Sequence, residues 1–412
     1  MNSDKKKLIN KRQAWHIPAI IFGGLEFSIP VIIVGGILAT HFSIFKILCI
    51  LTIGLVIIQW LGNAVIGYIG AKTGLNASSL ASKSFGKKQS KFIVSTTLLI
   101  ISLGWWAIQT ALTTDALLSL LGITKKTHLS IYSLAVIFVG FLFSLPSVIG
   151  LSSIKWVDYI AIPAGVILVL TAIYLSFQNT GFQKIIYWKP EANMTFLSGV
   201  NLVISINVAQ WLFVPDYTKY AKPTWRDNIL IPLGIVAIGF PLFLVGAIMN
   251  IGIGSSDIVY IMKNLGFPAW GFVVLWMATW TSQMVNNFTG GLALSNIFST
   301  SSERARKKFT IVFSLLGMLL AIIGIMHYFT NFLYLLALLV PAITGVVITH
   351  YFKTVKGNIR NCEHWNINAS IALIAGVFVG YFTQYVFSFG VPALQSLVAS
   401  ALSYFLFIRK SN

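Results

Sequence analysis

Acidic side chains are scarce in this chain: ten Asp and Glu stand against 29 Lys and Arg in 412 residues. Charge of either sign is scarce too, at 9% of residues, which excludes an ordinary soluble domain, where about a quarter are charged. Cysteine occurs only at Cys49 and Cys362, too few and too far apart for a disulfide framework or a thiolate metal site. The apolar segments hold no His/Cys metal cluster and no nucleophile–base pair, so a membrane enzyme would lack its machinery. The basic start (Lys5, Lys6, Lys7, Lys11, Arg12) leads into an apolar run too long for a signal-peptide core, with no obvious cleavage site. It reads as an uncleaved first span.

What the chain has in quantity is apolar sequence: 57% hydrophobic residues and a mean hydropathy of +0.83. The composition predicts an all-α polytopic membrane protein. Twelve apolar segments follow one another, at 17–39, 47–70, 92–120, 129–149, 156–177, 196–215, 228–252, 267–297, 309–327, 329–351, 368–387 and 390–408. Each is long enough to cross a hydrocarbon core of about 30 Å at 1.5 Å per residue. With the N-terminus inside, the external Lys and Arg are Lys46, Lys125, Lys126, Lys184, Lys189 and Lys263, and all others fall on cytoplasmic segments. The positive-inside rule therefore predicts both termini in the cytoplasm of a cell (plasma or inner) membrane. The net charge of +19 sits in short, scattered loops, which argues against nucleic-acid binding.

Polar residues inside the spans mark where function is expected, because unpaired polar groups in hydrocarbon cost several kcal/mol each. The eighth span carries Thr281, Ser282, Gln283, Asn286 and Asn287. At helical spacing Ala278, Thr281 and Ser282 share a face, and two hydroxyls beside a carbonyl are hard-oxygen ligands of the kind a small cation takes. Ser and Thr also serve as packing glue between helices. In the first span Gly23, Gly24 and Pro30 predict a break, and Glu26 lies at its centre. Two readings of Glu26 stand: a functional carboxylate, or a protonated or hydrogen-bonded structural one. In the third span Trp105 and Gln109 are four apart and share a face, a pairing suited to stacking a planar heterocycle while bonding its edge. Trp106 points about 100° away. The sixth span carries Asn201, Ser205, Asn207 and Gln210, with a helix exit expected at Pro215–Asp216. The stretch 67–91 reads as a basic cytoplasmic loop, a solvated topology determinant or a gating element. Asp115, Asp158 and His350 are given no functional role.

Interrupted spans one and six, five apart, are the pointer to an inverted-repeat transporter with its site near the midplane. The expected organisation is a cytoplasmic N-terminus (1–16), a first five-helix repeat (17–177), a second, inverted repeat (178–352), and spans eleven and twelve with the C-terminus (353–412). A channel is disfavoured by the paired interruptions and by the lack of a repeated pore motif.

The motifs FSIPVIIVGG (27–36), GYIGAKTGL (67–75), GWWAIQ (104–109), PDYTKYAK (215–222), ATWTSQMVNN (278–287) and PAITGVVITHYF (341–352), in this order and spacing, resemble the first group of nucleobase–cation symporters, most of all its cytosine-permease branch. The resemblance covers spans one to ten. It implies a LeuT-like fold of five plus five inverted spans with two extra C-terminal helices, working by alternating access. It implies a coupling Na+ between spans one and eight, held by the carbonyls of Gly23, Phe27 and Ala278 and the hydroxyls of Thr281 and Ser282. It places the aromatic wall on Trp105 and substrate-binding amides on Gln109 and Asn287. Asn207, Gln210, Gln283 and Glu26 complete the substrate-binding candidates. The family's second aromatic, nine residues before the span-six Asp, is replaced here by Asn207. The family's cytosine permeases carry a Gln where Ser102 stands, and an apolar or aromatic residue where Glu26 stands. The expected function is therefore sodium-coupled import of a nucleobase, cytosine-like, or a related small planar heterocycle. The alternative is a proton-coupled carrier of hydroxymethylpyrimidine, a purine or allantoin.

Overall fold

A computed structural model describes residues 12–123, 129–149, most of 166–190, 194–253, 268–300, 302–354 and 365–410. They are helical throughout, apart from an isolated bridge between Gln13 and Ala221. Six helices are each long and apolar enough to cross a membrane, and two further bent pairs pass the same test together. Eleven of the twelve expected segments coincide with described helices; the fifth, 156–177, lies mostly outside the described residues, as do Lys125, Lys126 and Asp158.

The bent pairs are the first and sixth spans. His16–Glu26 and Ile29–His41 meet at 63°, Phe196–Asn207 and Gln210–Thr218 at 42°. In the first span Ser28 is extended (φ −146°, ψ 148°) and Pro30 starts the second half-helix, where its missing N–H costs least. The sixth span breaks elsewhere than the sequence suggests. Val208 and Ala209 form the bend, whereas Pro215 sits inside the second half-helix, which runs on to Thr218. The reason lies in another span. The Trp211 amide turns to Val208 O (3.0 Å), and the released carbonyl of Asn207 accepts instead from Gln59 Nε2 (2.8 Å).

The seventh span, Leu233–Ile253, closes on both halves of the first through glycines. A Cβ on Gly234 would lie 1.8 Å from Ala19 O, one on Gly246 1.9 Å from Ile32 O, and one on Gly35 2.0 Å from Phe243 O. Close backbone approach of this kind is how helices associate in lipid, where no hydrophobic force drives them together. Gly246→Ala is expected to push the two spans apart and lower stability by roughly 1–3 kcal/mol, the usual cost of overpacking. Thermal unfolding in detergent checks this; an unchanged midpoint would mean the seam is not tight.

Spans one, two, six and seven pack on one another, and spans three, four, eight and nine form a second group. The second group has its own core of Trp106, Tyr132, Val136, Val139, Phe143, Leu294, Phe313 and Met318. Spans eleven and twelve pack on each other and on the tenth. The basic stretch 67–91 is not a plain solvated loop. Its residues Ala77–Phe85 form a helix whose Leu80, Ala81, Ser84 and Phe85 are buried. At its start Asp216 accepts from Ala77 N (3.3 Å). At its far end Asn366, ahead of span eleven, donates to Phe85 O (3.0 Å) and Ser84 O (2.7 Å). Tyr404 of span twelve joins this knot, and so does His350, which is buried and bonded to the Tyr404 hydroxyl (2.9 Å). Arg12 caps the same end of the bundle, donating to Ala71 O (2.8 Å) and Ala221 O (2.6 Å).

Candidate functional site

The two breaks meet at Glu26. Its carboxylate accepts from Asn207 Nδ2 on one oxygen and from Gln210 Nε2 on the other, both at 2.8 Å. Glu26 is 1% exposed, and Gly239 of the seventh span makes room for it: a Cβ there would lie 2.6 Å from Oε1. A carboxylate in hydrocarbon survives only with such donors around it. Of the two readings of Glu26, the hydrogen-bonded one describes its ground state, and its remaining lone pairs leave the functional one open. Gln210 and Ser28 beside it are half-buried.

A second polar pair joins spans three and eight within the second helix group. Gln109 Nε2 lies 3.2 Å from Ser282 Oγ, and Gln109 is buried while Ser282 is half-buried. One turn before Gln109, the half-buried Trp105 is braced edge-on by Phe332 (centroids 5.5 Å, 84°) and Phe329 (6.5 Å, 71°) of the tenth span. In such T-shaped contacts the edge of one ring meets the face of the other, which fixes the angle between their planes.

The remaining candidates lie elsewhere. Gln283 donates to Trp106 O (2.8 Å) and Thr110 Oγ1 (2.7 Å). Asn287 donates to Ser147 Oγ (2.8 Å) and accepts from Ser314 Oγ (2.9 Å). Both are wholly buried and tie span eight to spans three, four and nine, so the structure does not bring them to Gln109 or Glu26. Of the expected cation ligands, Gly23 O accepts from Phe27 N (3.2 Å), and Phe27 itself lies in the break, outside helical geometry. Ala278 and Thr281 are on the helix Pro268–Ile297, but their side chains fall outside the described residues. Among the described residues no group of His, Cys, Asp and Glu could hold a metal ion. The expected cation donors are backbone carbonyls and hydroxyls, hard oxygens of the kind a small cation takes.

A family model described as permease for cytosine/purines, uracil, thiamine and allantoin matches residues 10–385. The chain belongs to this family, the first group of nucleobase–cation symporters. Cytosine permease of Escherichia coli K12 is 25% identical over 393 residues, covering 93% of this chain and 88% of that protein. Mhp1, a nucleobase–cation-symport-1 family transporter solved in a closed conformation with bromovinylhydantoin bound, is 19% identical with a TM-score of 0.79, covering 97% and 93% of the two chains. Its inward-facing form gives 18% and 0.79, with 96% and 90% covered. The chain thus has the LeuT-like fold. It is a multi-pass secondary transporter of nucleobases or related compounds, and not an enzyme.

One residue of the site escapes a reading by sequence. Gln59 of the second span joins Asn207 and Gln210, as described below. Its signal was a polar pair, Gln59 and Asn63, four apart in an otherwise apolar span.

Proposed function

We propose that this permease is a sodium-coupled symporter that imports a small planar heterocycle carrying an amino group, cytosine or a close relative, by alternating access. The reading is supported by one observation above others: the polar groups at the paired breaks offer a ligand acceptors. Asn207 and Gln210 each direct one N–H to Glu26 and keep a second, while Gln59 directs its NH2 to Asn207 O and Gln210 Oε1. The acceptors left are the free lone pairs of the carboxylate and Gln59 Oε1, which is buried with no partner. Cytosine presents an amino donor to the carboxylate where uracil presents a carbonyl, whose lone pairs would oppose it. Trp105 supplies the stacking face, and Gln109 the far edge. Ser282 faces a hydroxyl-compatible partner in Gln109 and can give or take a hydrogen bond.

The coupling ion is assigned to Na+ at the carbonyls of Gly23, Phe27 and Ala278 with the hydroxyls of Thr281 and Ser282. The two repeats, 17–177 and 178–352, would carry these ligands on the first span of one and the third span of the other, with both termini cytoplasmic. One inward charge gains about 2.3 kcal/mol per 100 mV, enough to concentrate a neutral solute about fiftyfold. Ser282→Ala and Thr281→Ala are expected to weaken sodium and substrate binding together, since linkage is reciprocal. Uptake of labelled cytosine in proteoliposomes, with sodium or with choline outside, tests the reading. Uptake that ignores the replacement would hand the coupling role to Glu26 and a proton, the second reading that the buried carboxylate supports.

A further inference from the structure

Gln59 ends a π-helical stretch, Thr52–Gln59, inside the second span. A π-helical turn takes in more residues than an α-helical one, so it re-aims the side chains beyond it, and such turns gather at functional sites. Here the aim is the break in the sixth span. Gln59 is fully buried. Its Nε2 donates to Asn207 O at 2.8 Å and, on a longer second arm, to Gln210 Oε1 at 3.4 Å. Both partners are acceptors, which fixes which end of the amide is nitrogen. Asn207 and Gln210 in turn hold the two oxygens of Glu26. The four residues close a ring: Gln59, Gln210, Glu26, Asn207.

The ring has a direction. An ionised Glu26 only accepts, so the Gln210 nitrogen faces it, and the Gln210 oxygen faces back to Gln59. Take away the Gln59 donor and that oxygen loses its brace, with only Glu26 left to hold the Gln210 amide. The carbonyl of Asn207 would also be left buried with no donor, a loss that favours reclosing the helix.

We propose that Gln59 is the positioning residue that sets this transporter's specificity, by holding the Asn207 carbonyl out of its helix and so keeping the Asn207 and Gln210 amides on Glu26, which leaves the carboxylate's free lone pairs to a ligand's amino group. The proposal rests on the reading of the Glu26 ring as the ligand's polar edge. Gln59 need not touch the ligand to do this. Its own Oε1, buried with no partner, adds one more acceptor to the ring.

The test compares wild type with Gln59→Met, which keeps the length and loses the N–H, Gln59→Asn, which keeps the amide and shortens its reach, and Glu26→Gln. Binding of cytosine and of uracil to each purified protein is titrated, and KM and Vmax for cytosine uptake are measured in proteoliposomes. Wild type is expected to prefer cytosine. Gln59→Met is expected to narrow that preference by about tenfold or more, through weaker cytosine, with the loss in KM and little in Vmax. Gln59→Asn should fall between the two, and it carries the test if Gln59→Met does not fold. A merely structural Gln59 would scale both bases alike; that result, with the preference lost in Glu26→Gln, overturns the role of Gln59 and leaves the proposed function standing. A wild type without preference for cytosine over uracil overturns both.

Discussion

Glu26→Gln is expected to weaken substrate recognition on the order of 100-fold in a protein that still folds. The substitution keeps the shape but turns one acceptor oxygen into a donor NH2. Asn207 and Gln210 each donate to Glu26, so one of them must then face another donor. Hydrogen bonds to a charged partner are worth about 1.5–3 kcal/mol, and the ligand's amino group loses its own charge-assisted bond as well. A loss of affinity on the order of 100-fold, or about 2.7 kcal/mol, follows. Cytosine titration of the purified variant measures it, with the thermal midpoint as the folding control. Wild-type affinity in Glu26→Gln would remove the carboxylate from the ligand's path. Sodium-driven uptake that persists at high cytosine would also show that the carboxylate is not the coupling group.

Two neighbouring tryptophans should separate binding from stability. Trp105 is half-buried and held edge-on by Phe329 and Phe332. Trp105→Ala should cost about 1–3 kcal/mol of stacking, a tenfold to hundredfold weaker ligand, with a modest change in unfolding. Trp106 is fully buried. Gly317 lies so close that a Cβ there would meet its Cε3 at 2.6 Å, and Phe313 packs edge-on at 6.4 Å. Trp106→Ala opens a cavity between spans three, four and nine and should cost about 3–5 kcal/mol of stability. Its folded fraction should bind normally. Paired thermal unfolding and ligand titrations on both variants read this out; the reverse pattern would put the binding face on Trp106.

The first break could be read from the chain because its causes are local: two glycines and a proline lie within eight residues, and the helix parts between them. The sixth break could not. Pro215 is the visible breaker, yet its lost hydrogen bond falls in a half-helix that tolerates it. The actual bend at Val208–Ala209 has no breaker residue and depends on an amide from a span about 150 positions earlier. The face shared by Trp105 and Gln109 was legible because spacing alone decides it, and Ser282 does meet Gln109. The partners of Gln283 and Asn287 were not legible. A helix hemmed in by spans three, four and nine has polar neighbours on several sides, and only packing tells which side each amide takes.

The helix Ala77–Phe85 has a consequence for anyone who trims this protein to a ten-span minimum. Its first amide rests on Asp216 at the end of the sixth span, while its last carbonyls hang from Asn366 and Tyr404, which belong to the eleventh and twelfth. Cutting the chain after Thr354 would strip those carbonyls of their donors and leave the buried His350 without its hydroxyl. The damage would not stay at the periphery. A rod freed at one end passes its slack to the other, and here the other end is the segment leading straight back to Gln210. The last two spans are therefore a backstop for the loop helix, and removing them should loosen substrate affinity without deleting a single residue that touches the ligand.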